Sequence, residues 1–116
     1  MSIKVYGLSQ CSTVAKARLW LEGHGVEYAF VDYRAVPVVP VVLKKWAKEL
    51  GGWEKLVNRA SMTWRNLDAS LKEPATDAQW LELIAQYPAL IKRPVTVYAD
   101  GSVTVGFSEK RYTEKF

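Results

Sequence analysis

Cys11 is the one cysteine among 116 residues. It stands between an apolar run, Ile3-Lys4-Val5-Tyr6-Gly7, and a run of helical character, Ser12-Thr13-Val14-Ala15-Lys16-Ala17-Arg18. A sulfur at a strand-to-helix turn faces backbone N–H groups and the positive end of the helix dipole. That setting favours thiolate over thiol, and the thiolate is the nucleophile. A thiol with a pKa of ~8.5 is only a few per cent ionised at neutral pH, and bringing that value down by about two corresponds to roughly 2.7 kcal/mol. A helix dipole typically contributes ~0.3–1 kcal/mol. Strong activation of Cys11 therefore requires a cationic side chain as well. Free cysteines are also commonly small buried apolar residues, and the local sequence leaves both readings open.

The neighbours of Cys11 are first-turn residues more than catalysts. No base stands near Ser12 or Thr13 in sequence, so their hydroxyls have no activating partner. Their N–H groups would complete the anion-binding turn around the sulfur. Lys16, about a turn and a half into the helix, is either a solvated cation or a group reaching toward the cysteine face; Arg18 lies further on. The lone histidine, His24, sits in Glu22-Gly23-His24-Gly25, a helix C-terminus, where it interacts favourably with the helix end. No cysteine–histidine cluster offers a metal site, and no tightly bound cofactor is expected.

The elements that position these residues follow from periodicity. Ile3 to Tyr6 reads as a strand, Ser12 to about Glu22 as a helix stopped by Gly23 and Gly25, and Glu27 to Asp32 as a second strand. Strand, helix and strand within some thirty residues form a βαβ unit with parallel, right-handed pairing. Pro37-Val38-Val39-Pro40 breaks the pattern. Val42, Leu43, Trp46, Ala47 and Leu50 then recur at helical spacing, with Lys44, Lys45, Lys48 and Glu49 outside, until Gly51-Gly52. Short helices are predicted over Trp53–Val57 and Met62–Leu67, and a loop over Lys72–Ala75. Thr76 and Gln79 form a capping box for a helix that buries Trp80, Leu81 and Ile84 and stops near Tyr87-Pro88. Val95–Tyr98 is a third strand. Asp100-Gly101 supplies a two-residue turn to an antiparallel return over Ser102–Val105, and Ser108 caps a last helix through Tyr112. Trp46, Trp53, Trp64 and Trp80 are spaced with leucines and isoleucines as core residues.

The bulk properties narrow the function classes. Hydrophobic residues make up 49% of the chain, with five tryptophans, which argues against disorder. The length fits one domain, residues 1–116, with a helical insert at about 40–87. A single cysteine excludes an internal disulfide framework and fits a reducing compartment, so a cytoplasmic location is expected. The start, Met1-Ser2-Ile3-Lys4, is strand-like and does not resemble a signal peptide. No apolar run approaches the ~18–20 residues of a membrane span. The net charge of +4 suits anionic small ligands or an acidic protein patch, and no basic stripe interleaved with aromatics points to nucleic acid.

Several motifs occur in a specific order: Val5 to Leu21 around Cys11, Asp32-Tyr33-Arg34, Asn58-Arg59-Ala60-Ser61-Met62-Thr63-Trp64-Arg65, Pro88-Ala89-Leu90-Ile91-Lys92-Arg93-Pro94, and Gly106-Phe107-Ser108. Together they resemble the ArsC/Spx family, and most closely its YffB-like branch, over essentially the whole chain. The resemblance implies an α/β thioredoxin-like fold, β-α-β, a helical insert and β-β-α, on a four-stranded mixed sheet. It also implies Cys11 as the reactive cysteine, Arg93 directly before a cis-proline, Pro94, and Arg59 as an insert arginine facing an anion site. A cis Pro94 would leave the backbone of Lys92 and Arg93 for a substrate chain; an ordinary trans proline opening a strand is the alternative.

The chain departs from that family pattern twice. A third arginine of arsenate reductases aligns with Gly106, which removes a cation from any oxyanion site. The Cys-x-x-Cys switch common in Spx-type regulators has Val14 in place of its second cysteine. Arg93 would offer its planar fork to an anion and supply the stabilisation that the dipole lacks. The expected chemistry is thiolate attack on a disulfide, a mixed disulfide, and release by an external thiol, for which glutathione is the natural co-substrate. The alternatives are arsenate reduction and an Spx-like regulator that binds RNA polymerase through the lysines of the insert helix.

Overall fold

In the sheet, Val5, Phe30 and Thr96 lie side by side, and helices cover that face. The computed structural model describes residues 3–116; Met1 and Ser2, the first half of the strand-like start, lie outside the described residues. The strands are β1 (Ile3–Gly7), β2 (Tyr28–Asp32), β3 (Val95–Val97) and β4 (Val103–Val105), in the order β2-β1-β3-β4. β1 and β2 pair in parallel, with Val5 opposite Phe30 and Gly7 opposite Asp32. β1–β3 and β3–β4 pair antiparallel. The parallel pair requires a crossover, supplied by α1 (Ser12–Gly23). Val5, Ala17, Leu21 and Tyr112 form a fully buried cluster that joins β1, α1 and the last helix, α6 (Glu109–Lys115). This βαβ–ββα arrangement on a mixed sheet is thioredoxin-like.

The chain forms two compact units: residues up to Val36 together with Arg93–Phe116, and Pro37–Lys92. The second is longer than the insert of about 40–87 expected from sequence. Its helices are α2 (Pro40–Leu50), α3 (Trp53–Leu56), α4 (Met62–Arg65) and α5 (Asp77–Gln86). Pro40 occupies the first position of α2, where a missing N–H costs nothing. The capping box forms as predicted: Thr76 Oγ1 accepts from the Gln79 N–H at 3.2 Å and Gln79 Oε1 accepts from the Thr76 N–H at 3.2 Å. All four tryptophans of this unit are buried. Trp80 stacks with Trp53 at 6.2 Å and with Trp64 at 6.1 Å between ring centroids. α5 buries Trp80, Leu83 and Ile84. Leu81, expected inside, is half-buried, because the i, i+3, i+4 stripe from Trp80 passes through Leu83.

Two boundaries at the C-terminal end differ from the sequence expectation. The β3–β4 register pairs Val97 with Val103, and the Tyr98 N–H donates to the Ser102 carbonyl at 2.9 Å, so the turn has three residues, Ala99-Asp100-Gly101, and not two. The Gly101 N–H donates to the Tyr98 carbonyl at 2.9 Å, and Gly101 takes φ +87°, the conformation that closes three-residue hairpins. α6 runs past Tyr112 to Lys115, and its cap is as expected, with Ser108 Oγ accepting from the Arg111 N–H.

The sheet face carries one buried polar contact the sequence did not announce. Thr96 and Tyr112 are both fully buried, and their hydroxyls hydrogen-bond at 2.6 Å. Burial pushes the Tyr112 pKa up to about 12, so the phenol stays neutral. Removing one partner strands the other, at about 1–3 kcal/mol. Chemical denaturation should therefore show Thr96→Val losing about that amount. Adding Tyr112→Phe should recover part of it, and strictly additive losses would refute the coupling.

Candidate active site

Cys11 is the N-cap of α1, with extended backbone at φ −83°, ψ 125°. Its N–H donates to the Leu8 carbonyl at 3.1 Å, and its carbonyl accepts from the Ala15 N–H at 3.0 Å. An N-cap side chain meets the N–H groups two and three residues on, here Thr13 and Val14. The sulfur makes no cap bond of full hydrogen-bond geometry, yet both N–H groups act on it. Burial is the largest single influence and pushes the thiol up. The Val14 N–H, the Arg93 guanidinium and the Thr13 N–H together outweigh it, and the Cys11 pKa is lowered.

Arg93 is the cation that activation required. Its guanidinium acts on both the Cys11 thiol and the Tyr33 phenol. Tyr33 is 1% exposed; burial, the dominant influence, raises its pKa against the pull of Arg93. The phenol therefore stays neutral and serves as an acceptor that fixes the guanidinium. The Arg93–Pro94 peptide is cis, as the resemblance implied, and Pro94 is fully buried. The expected exposure of the preceding backbone is only partly realised. The Lys92 N–H is taken by the Leu56 carbonyl at 2.8 Å, beside a bridge between Val57 and Ile91.

An open cleft of about 670 Å³ reaches the sulfur, lined by Ser9, Cys11, Ser12, Asp32, Arg34 and Arg93 among others. Asp32 Oδ2 accepts from Ser9 Oγ at 2.6 Å and from the Ser9 N–H at 3.2 Å, and Oδ1 accepts from the Arg34 N–H at 2.9 Å. The Ser9 hydroxyl first, then the Arg34 N–H, hold the Asp32 carboxyl at about 2. These bonds tie the cysteine-bearing loop to the end of β2. In the sequence Asp32-Tyr33-Arg34 stands out only as part of a family motif, with no role of its own. The predicted βαβ unit contained the signal, since ligand crevices open outside the carboxyl ends of parallel strands.

The remaining predicted residues fall in different places. Thr13 contributes its N–H to the sulfur. Lys16 is exposed on α1 and is not among the groups acting on Cys11. Arg59 belongs to the second unit, exposed in a turn where Asn58 Oδ1 accepts from the Ala60 N–H at 3.1 Å. Arg18 is structural: it donates to the Tyr28 hydroxyl at 3.0 Å and lies 4.1 Å from the Phe30 ring centroid. His24 stacks on Trp20 at 3.8 Å, and its Nδ1 lies 2.8 Å from the Trp20 carbonyl. Among the described residues, no group of three or more His, Cys, Asp or Glu could hold a metal, and no helix is long and apolar enough to cross a membrane.

Backbone approach also positions the sulfur. A Cβ built on Gly7 would lie 2.6 Å from Val14 Cγ2, and Val14 is buried, branched and the third residue of α1. Gly7→Ala should cost about 1–3 kcal/mol and push the start of α1 away from β1. The pH dependence of Cys11 alkylation should show a midpoint below that of a free thiol, with reactivity present above it and lost as pH falls through it. Arg93→Ala should move the midpoint up. A midpoint unmoved in that variant would remove Arg93 from the site.

The family profile described as ArsC family matches residues 6–115. An uncharacterised protein of Haemophilus influenzae is 41% identical over 114 residues, 98% of each chain. Global transcriptional regulator Spx 2 of Oceanobacillus iheyensis is 29% identical over 96 residues, 82% of this chain and 70% of the regulator. The solved structure of the YffB (PA3664) protein superposes with a TM-score of 0.89 at 38% identity, over 98% of both chains. With a family profile matched over residues 6–115 and a relative 41% identical over 98% of both chains, the chain belongs to the ArsC family.

Proposed function

We propose that this protein is a thiol–disulfide reductase that uses Cys11 as its sole nucleophile and glutathione as the returning thiol. The observation that carries the reading is that Cys11, the N-cap of α1, and Arg93 line one open cleft, with the guanidinium among the groups that lower the thiol's pKa. The Cys11 thiolate attacks one sulfur of a substrate disulfide. A new S–S bond forms to Cys11, the old one breaks, and the departing sulfur leaves as a thiolate that takes a proton from water. A second thiolate then attacks the Cys11 mixed disulfide and returns Cys11 to its starting state. The chain has no second cysteine, so that thiol comes from another molecule. Arg93 holds Cys11 ionised before attack and as a leaving group afterwards. Ser12 lines the cleft that the incoming disulfide enters, Thr13 contributes its N–H to the sulfur, and the buried Pro94 fixes the backbone after Arg93. The chemistry needs a reducing, glutathione-containing compartment such as the cytoplasm.

A second reading, a regulator that binds RNA polymerase, draws support from the relative named Spx 2 and from Lys44, Lys45 and Lys48, exposed on α2. Arsenate reduction has less support. Gly106, where a third cation would stand, takes φ +77°, which strains any arginine placed there.

Turnover of a small mixed disulfide by reduced glutathione tests the leading reading. Wild type should turn over, and Cys11→Ser should fall to the uncatalysed background. Full activity in Cys11→Ser, or none in folded wild type with its thiol intact, would overturn it. Co-purification of polymerase with the inactive protein would then favour the second reading.

A further inference from the structure

The cleft holds two charged side chains that the reaction above does not use, Asp32 and Arg34. Both stand at the C-terminal end of β2, whose last residue pairs with Gly7 just before the cysteine loop. Asp32 is a fixed anion. Its bonds from Ser9 and from the Arg34 N–H orient the carboxylate without cancelling its charge. Arg34 is exposed, and its planar fork matches a carboxylate. Arg93, in contrast, is already engaged by the sulfur and Tyr33. With the Cys11 thiolate set against Arg93, one anion and one cation remain in the lining of the cleft, two positions apart in sequence.

That pair has the complementary charges to an ammonium and a carboxylate carried on one carbon. We propose that Asp32 and Arg34 read the α-amino-acid end of the thiol or disulfide at Cys11, Asp32 receiving its ammonium and Arg34 its carboxylate. Zwitterionic substrates then react in preference to those with carboxylates alone. The inference rests on the reductase reading only in taking Cys11 as the nucleophile. The γ-glutamyl end of glutathione carries such a pair, as does free cystine.

A single-turnover experiment tests this without an external reductant. The reduced full chain is mixed with cystine, N,N′-diacetylcystine or cystamine, and the Cys11 mixed disulfide is followed by mass. In each case the Cys11 thiolate bonds to one sulfur, the S–S bond breaks, and the other half leaves as thiolate. Each rate is divided by that of the same disulfide with a small free thiolate, which removes intrinsic reactivity. A charge-assisted contact should make wild type favour cystine over its diacetyl form about tenfold. Asp32→Asn should bring that ratio to within about twofold. Arg34→Gln should slow cystine and diacetylcystine relative to cystamine. No preference in wild type, or a ratio unchanged by Asp32→Asn, would overturn the assignment and leave Asp32 as a clamp on the cysteine loop. If the preference holds while glutathione turnover is absent, the charge assignment stands and the reductase reading falls. If Cys11 reacts with none of the three, both fall.

Discussion

A guanidinium that acts on a buried phenol and on a sulfur couples the charge of a thiolate to the packed interior. Arg93 does so, with Tyr33 and Cys11 as the two groups whose ionisation it favours. Burial of the thiol opposes ionisation, and the N–H groups of Thr13 and Val14 alone face that penalty without a full charge. The Val14 N–H is the largest of the lowering influences, and the Arg93 guanidinium adds a full charge to what the amides supply, so that together they outweigh burial. The site therefore depends on a side chain from the far end of the sequence, delivered at the start of β3.

The framework around that contact has little slack. Gly7 lets α1 lie against β1, and the Gly106 N–H donates to the Pro94 carbonyl at 2.9 Å, tying the end of β4 to the proline beside Arg93. Ser9 and Asp32 close the loop that carries the cysteine. Each of these ties the backbone of one element to another close to the sulfur, so the geometry of the thiolate is set by the sheet and not by the cysteine loop alone.

Much of this was legible in the sequence where the information is local. The βαβ unit follows from the spacing of apolar runs and from the glycines after Glu22. The Thr76–Gln79 box is a four-residue pattern, and the strand-to-helix position of Cys11 is readable from its flanks. Arg93 and Pro94 needed a family resemblance, because nothing in Lys92-Arg93-Pro94 itself points to a residue some eighty positions earlier. Tyr33, Asp32 and Ser9 were out of reach for a related reason. Their roles come from β1–β2 register, Gly7 against Asp32, and register is a property of the pair. Asp100-Gly101 signals a two-residue turn because that dipeptide favours tight hairpins, whereas the bond from the Tyr98 N–H to the Ser102 carbonyl sets the loop length. The capture of the Lys92 N–H by Leu56 has the same character, a contact between segments 36 residues apart.

The chain's tryptophans divide unevenly: Trp46, Trp53, Trp64 and Trp80 lie in the second unit, and Trp20 alone lies in the first. The second unit holds a triple indole stack, and the first a single indole lying on an imidazole. The two units thus differ in their near-ultraviolet chromophores. Tryptophan fluorescence of the whole protein reports mainly on the insert, while the unit that carries the sulfur adds one indole, Trp20, and five tyrosines, Tyr6, Tyr28, Tyr33, Tyr98 and Tyr112.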